Sequence, residues 1–259
     1  MSAAITLWNK HMVKSLRNQM EMSGMLIQPV LWVVLFGVGM GSLLGPSMPG
    51  GKDFYITFML PGIIALTASG GAIAGGSTWL NERLQGIVKE YLAAPIPRFS
   101  ILMGNALSTV SKGLIQSLVI LIVGLIVGAK ITTNPLGWLG GLVLVGGFAL
   151  GFAGIALSMA SSTDNPGAYH SMIMLLNLPL LFLSNALYPL ETMPTWMRIG
   201  ALINPTTYVV TGLRYTLLDV DPNLVQVETI PLWFCFLAIA IFACLGMWLG
   251  YRAFKKSLK

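Results

Sequence analysis

The chain has 259 residues, of which 55% are hydrophobic and only 9% charged, and it carries a net charge of +6. A soluble domain carries roughly 25% charged residues, so this composition excludes an ordinary soluble fold and makes lipid the solvent for most of the surface. It also excludes nucleic acid as a partner, because the basic residues lie scattered between apolar runs and form no patch with interleaved aromatics.

Residues 5–22 read as a helix lying on the membrane. Ile5, Trp8, Met12, Leu16 and Met20 recur at helical spacing on one face, and Lys10, Lys14, Arg17 and Glu21 fall opposite. No cleavable signal-peptide pattern is visible. Six apolar runs follow, at about 24–44, 54–79, 101–128, 137–160, 169–188 and 231–251; about 20 apolar residues cross a bilayer, so the second and third runs exceed one bilayer thickness and must tilt, kink or extend into water. Pro61 and Pro179 are expected kinks in the second and fifth. The predicted fold is therefore an all-α integral membrane protein with a single transmembrane domain over 1–259. It has six transmembrane helices, an N-terminal interfacial helix, a cytoplasmic helix between the second and third spans, and short external re-entrant helices. Cys235 and Cys244 lie in the last run and read as small packed hydrophobes.

Orientation follows from Lys and Arg. With the N-terminus inside, 11 of the 15 fall on the inner side and only Lys52, Lys130, Arg198 and Arg214 outside. This bias puts both termini in the cytoplasm of a multi-pass protein of the inner (plasma) membrane. Lys112, well inside the third run, is placed near the inner interface with its stem snorkelling.

Several chemistries lack their residues. No acidic residue lies deep in a span, which removes the usual coupling carboxylate of proton- or sodium-driven transporters. His11 and His170 stand alone, without metal-ligand spacing, and no metal site is expected. Gly50-Gly51-Lys52 ends like a phosphate-binding loop, but Pro46 and Asp53 stand where Gly and Ser/Thr are required. No cofactor is expected in this chain. Glycine pairs four apart, such as Gly147/Gly151 and Gly246/Gly250, read as close helix packing, as does the small-residue run 67–78.

Two segments are distinctive. In 81–100, Leu84, Ile87, Val88, Tyr91 and Leu92 form an apolar stripe, Glu82, Gly86 and Glu90 line another face beside Arg83 and Lys89, and Pro95 and Pro97 stop the helix. Such a helix joined to two spans is suited to act as a lever; the pattern equally fits an interfacial helix that merely connects them. In 185–218, Pro194 starts a short helix with Trp196, Ile199 and Ile203 on one side. Asn204-Pro205 then reads as a cap and first-turn proline of a second helix carrying Tyr208 and Arg214.

These segments resemble the type-2 ATP-binding-cassette (ABC-2) exporter permeases, including the daunorubicin-exporter-like and Nod-factor-exporter-like groups. The resemblance covers essentially the whole chain. It rests on Glu82, Gly86, Glu90 and Pro95, and on Tyr188-Pro189-Leu190, Met193-Pro194-Thr195-Trp196, Asn204-Pro205-Thr206-Thr207-Tyr208 and Arg214. Ile87 departs from the small polar residue many relatives carry there. The resemblance implies a membrane-spanning subunit that is not itself an enzyme. It implies a dimer of two permease chains, docked on two ATPase subunits that hold the ATP and Mg. The 81–93 helix, with Glu82, Arg83, Gly86, Glu90 and Pro95, would seat on the ATPase. The path would be lined mainly by the second and fifth spans, with Thr67, Ser69, Asn177, Ser184 and Asn185 as polar candidates. The resemblance implies outward movement of an amphipathic drug, lipid or glycoconjugate by alternating access, and the scarcity of aromatics mid-membrane in the first four spans favours a drug or lipid over a long sugar chain. A secondary transporter and a non-transporting membrane scaffold are the alternatives, separated by whether an ATPase co-purifies.

Overall fold

The computed structural model describes residues 3–40, 51–187, 189–218 and 230–257, and its regular elements are helices. Residues 41–44 of the expected first span and Tyr188 of the fifth lie outside the described residues. The helices are α1 (Ala3–Arg17), α2 (Gln19–Val34, continuing as a π-helical turn over Leu35–Met40), α3 (Gly51–Leu84), α4 (Ile87–Ala93) and α5 (Arg98–Val127). They continue with α6 (Pro135–Ser162), α7 (Pro166–Phe182), α8 (Thr195–Ile203), α9 (Pro205–Leu217) and α10 (Leu232–Ser257). Among the described residues four are long and apolar enough to cross a membrane: Phe54–Leu84, Arg98–Val127, Pro135–Ser162 and Leu232–Lys256.

The packing follows from small residues. In lipid no hydrophobic drive separates helix from solvent, so close van der Waals approach and polar contacts hold helices together. A Cβ added at Gly71 would lie 3.0 Å from the Gly113 backbone, and one at Gly75 only 2.0 Å from Thr109 Oγ1. Leu60 fills the notch at Gly124, so α3 and α5 run antiparallel. The run 67–78 thus makes the close contact its composition suggests. On the opposite side, Gly147 meets Ile239, and a Cβ at Gly154 would lie 2.0 Å from the Gly246 carbonyl oxygen. Position numbers rise together there, so α6 and α10 run parallel.

α3 is the axis of the bundle, with 83% of its most apolar stretch buried against 22% for α10. Tyr55, Ile56, Met59, Leu60, Ile63 and Ile64 of α3 join Ile120, Leu144, Phe148, Val210 and Leu213 in the main core. α10 presents Trp233, Leu237, Ile241, Leu245 and Trp248 outward, an apolar stripe of the kind lipid covers. Cys235 is buried in this packing, but Cys244 is exposed on the same outer surface rather than packed.

Two sequence expectations shift. The first helix ends at Arg17, and Asn18 separates it from α2. Its buried side is Leu7, His11, Met12 and Ser15, while Ile5 and Leu16 stay exposed. The apolar residues are divided between protein and surroundings because α5 offers α1 a seat. Leu7 fills the space above Gly104, and Trp8 Nε1 donates to Ser111 Oγ at 2.9 Å. The second shift concerns α3, which continues past Trp79 to Leu84, so Glu82 and Arg83 belong to this long helix and not to a separate one.

Candidate functional site

The segment after α3 turns sharply. Gln85 and Gly86 break the helix, with Gly86 at φ 80° and its N–H donating to the Arg83 carbonyl at 3.1 Å. Only glycine adopts that left-handed backbone without strain. The expected continuous face of Glu82, Gly86 and Glu90 is therefore corrected: the break ends the helical register that would have aligned them. Glu82 points inward, 2% exposed, whereas Glu90, Lys89 and Pro95 are exposed. The apolar stripe divides likewise, with Val88 buried, Ile87 and Tyr91 half-buried, and Leu84 and Leu92 exposed.

Glu82 joins three helices. Its Oε1 lies 3.7 Å from Lys10 Nζ and 3.8 Å from His11 Nδ1, and accepts a hydrogen bond from the Tyr91 hydroxyl at 3.2 Å. Lys10 also donates to that hydroxyl. Burial and the Glu82 charge push the Tyr91 hydroxyl well above its ordinary pKa, which keeps it a donor. Burial holds His11 below the usual histidine value, against the attraction of Glu82 and with help from Lys10, Lys112 and Lys14. Arg83 fastens a fourth element. Its guanidinium donates to the Ser161 carbonyl at 2.9 Å, to Asp164 Oδ1 at 2.6 Å and to the Thr163 carbonyl, at the α6–α7 turn. Sequence reasoning had no signal for Lys10, Tyr91 and Asp164 as partners, because Lys10–Tyr91 and Arg83–Asp164 are each 81 positions apart.

Thr67, Ser69 and Asn177 come together in a cavity of 770 Å³ between α2, α3, α5 and α7, beside Trp32, Gln116 and His170. Ser184 and Asn185 do not line it. Both are buried in the turn after α7, where Asn185 Nδ2 donates to Thr211 Oγ1 at 2.8 Å and Ala186 packs on Gly62.

The late motif closes the opposite end. Pro189 precedes a 3₁₀ turn at Leu190–Thr192, Pro194 immediately precedes α8, and Pro205 is the first residue of α9. Trp196, Ile199 and Ile203 all face outward from α8. Asn204 serves two helices: its Oδ1 accepts from Thr206 N at 2.9 Å at the start of α9, and its Nδ2 donates to the Leu180 and Leu183 carbonyls ending α7. Irregular backbone at membrane depth needs such partners. Tyr208 donates to the Leu202 carbonyl. Arg214, 4% exposed, donates to the Asn185 carbonyl at 2.7 Å and the Phe58 carbonyl at 3.3 Å, with the Phe58 ring 3.8 Å away.

The sequence profile described as ABC-2 type transporter matches residues 2–218. The chain belongs to this family. It is 34% identical over 205 residues to ycf38 of Porphyra purpurea, named as a transport permease, covering 78% of this chain and 69% of that one. It is 25% identical over 216 residues to the daunorubicin resistance ABC transporter permease protein DrrB1 of Streptomyces coeruleorubidus, covering 82% and 74%. With the inner membrane transport permease YadH of Escherichia coli K12 the identity is 22% over 219 residues, covering 83% of each. The chain is a membrane transport permease of the ABC-2 family, a transport component rather than an enzyme, and the family implies an ABC ATPase partner.

Proposed function

We propose that this permease is the membrane half of an ATP-driven exporter of the cell inner membrane. Two copies pair and dock on two ATPase subunits, which hold the ATP and Mg. Six spans leave both termini in the cytoplasm, α2 and α7 adding to the four long helices. The span count is supported by chain direction. Thr132 N donates to the Leu217 carbonyl at 2.8 Å, so α9 ends beside the start of α6, whereas Arg83 holds the other end of α6. A return of the intervening chain through α7 accords with both contacts. Gly37 packs on Ile56 and Val127, which takes α2 from the end that carries α1 to the opposite one.

The observation that carries the coupling reading is the arrangement at residues 81–95. Their outer side exposes Leu84, Gln85, Lys89, Glu90 and Leu92 as a mixed docking face, while Glu82 and Arg83 tie the inner side to α1, α4 and the α6–α7 turn. Closure of two ATPases under α4 would pull on all of these at once. In this reading Glu82 and Arg83 transmit force, Gly86 sets the turn, Pro95 ends it, and Glu90 meets the partner. The substrate would be amphipathic and pass beside Thr67, Ser69 and Asn177, between α3 and α7. Asn185, with Ser184 and the Pro189–Arg214 motif, would close the outer end.

The test is affinity purification of the tagged chain from its native membrane. An ATPase should co-purify, and Leu84→Glu with Leu92→Glu should release it while the permease stays folded. An intact complex in that double variant would remove α4 from the docking surface, and the absence of any ATPase would defeat the exporter reading.

A further inference from the structure

The 770 Å³ cavity between α2, α3, α5 and α7 has a wall of two kinds. Ile63, Leu66, Leu178 and Leu181 make much of it apolar, and it opens at α7, where Met174 and Leu178 are exposed. Its polar part is made of carboxamides and hydroxyls: Gln28, Gln116 and Asn177 with Thr67 and Ser69. Among the described residues that line it there is no Asp, Glu, Lys or Arg, and the exposed His170 is the single titratable side chain.

Gln116 comes from α5, a span outside the pair that the sequence expected to line the path, and it is 3% exposed. Glycine at 71 makes room for its carboxamide: a Cβ there would lie 3.0 Å from Gln116 Oε1 and 3.0 Å from the Gly113 backbone. Yet Oε1 has no hydrogen-bond partner among the described residues, a state that buried polar atoms rarely keep without a ligand or water to meet them. Thr67 and Ser69 have spent their protons. Their hydroxyls donate to the Ile63 and Leu66 carbonyls, each at 2.7 Å, which leaves only lone pairs for a ligand. This side of the wall is therefore rich in unused acceptors, and a ligand has to bring the donors.

A charged head would leave water for a wall with no counter-charge, and nothing there would offset its lost hydration. A hydroxyl suits the wall better, because it donates to a carboxamide oxygen or a hydroxyl lone pair and accepts from a carboxamide N–H. We propose that Gln116 is the polar anchor of this groove, and that the groove takes an amphiphile with an uncharged, hydroxyl-bearing head. The head lies against Gln116, Thr67 and Ser69, and the tail leaves past Met174 and Leu178. The site deepens the exporter reading by giving the chemistry of the substrate's head, and it rests on that reading only for the movement of what binds.

The experiment measures quenching of tryptophan fluorescence by brominated lipids in the purified full chain, held in phosphatidylcholine nanodiscs. The part of the quenching lost in Trp32→Phe reports the groove, since Trp32 lines it. The probes carry the same brominated tails on different heads: diacylglycerol with its free hydroxyl, the methyl ether of that hydroxyl, phosphatidate, and the corresponding cationic amine. Diacylglycerol should half-saturate the Trp32 signal at about fivefold lower mole fraction than its methyl ether, the factor for one neutral hydrogen bond of ordinary net strength, and at lower mole fraction than either charged lipid. Gln116→Leu, close in volume and without the carboxamide, should bring hydroxyl and ether to parity, and Gln116→Asn should keep part of the difference. A purely structural role for Gln116 would leave the hydroxyl-to-ether ratio unchanged. Equal quenching by hydroxyl and ether in the unaltered chain, a charged lipid ahead of diacylglycerol, or an undiminished ratio in Gln116→Leu overturns the proposal. Should Gln116→Leu fail to fold, the order of the probes in the unaltered chain still decides. No ATPase enters this measurement, so its failure is distinct from a failure of the co-purification that decides the exporter reading.

Discussion

A guanidinium buried among apolar helices has to be met on every side, because each unpaired N–H there costs about 1–3 kcal/mol. Arg214 meets the Phe58 and Asn185 carbonyls and lies over the Phe58 ring, and among the described residues none of its hydrogen-bond partners is a carboxylate. These contacts pin α9 to α3 and to the turn after α7. Lysine has no planar fork with which to reach both carbonyls and stack at once. Arg214→Lys should lower stability by about 2 kcal/mol, and Arg214→Met, which leaves both carbonyls without this donor, should cost at least as much. Thermal unfolding in detergent, followed by reaction of the buried Cys235 thiol in a Cys244→Ser background, measures both. A midpoint unchanged by Arg214→Lys would mean the two carbonyl contacts carry no weight. The sequence singled out Arg214 through its motif but could not pair it, since Phe58 is 156 positions away. Asn204 was legible as a helix cap because capping is local. Its second task, closing α7 through Leu180 and Leu183, depends on residues 21 to 24 positions back and was not.

Helices were readable where periodicity or capping chemistry acts within a few residues, and misread where a break is decided by one backbone angle. The starts of α6, α7 and α9 carry Asn134-Pro135, Asn165-Pro166 and Asn204-Pro205, each asparagine accepting from the backbone two residues on. The segment 81–93 carries a helical pattern throughout, yet Gly86 at φ 80° splits it into the end of α3 and a seven-residue α4. This reverses what a side chain at Gly86 should do. In a continuous helix, replacing glycine favours the helix by roughly 0.5–1 kcal/mol. At a left-handed position a β-carbon costs about 1–2 kcal/mol. Gly86→Leu should therefore destabilise the turn although nothing lies within 4 Å of the new β-carbon, and Gly86→Asn should be milder. Hydrogen exchange at 85–89 should speed up in the order Gly, Asn, Leu. Slower exchange in Gly86→Leu would show that the two helices had fused.

At the scale of the molecule, the packing directions constrain how the chain crosses the membrane. Among the described residues four helices satisfy length and composition by themselves. α7 has 17 residues, about 25 Å of helix at 1.5 Å per residue, short of a hydrocarbon core of roughly 30 Å. The apolar run continues through 183–187, and there the backbone leaves the helix but stays inside protein: Ser184 and Ala186 are buried, and Asn204 holds the Leu183 carbonyl. A crossing finished by buried irregular backbone is compatible with lipid. Because α6 and α10 run parallel, with Gly147 against Ile239 and Gly250 against Gly154, the chain between them must return across the bundle. If α7 makes that return, single cysteines at Ser162 and Arg198, both exposed, lie on opposite sides of the membrane. In a Cys235→Ala, Cys244→Ser background, Arg198→Cys should react with a membrane-impermeant maleimide on intact cells, and Ser162→Cys only after permeabilisation. Arg17→Cys should behave like Ser162→Cys, and Thr133→Cys, at the α5–α6 connection, like Arg198→Cys. Same-sided labelling of Ser162→Cys and Arg198→Cys would deny α7 its crossing. The 11-to-4 distribution of Lys and Arg predicts which face is which, so reversed labelling of all four positions would keep the span count and invert the protein in the membrane.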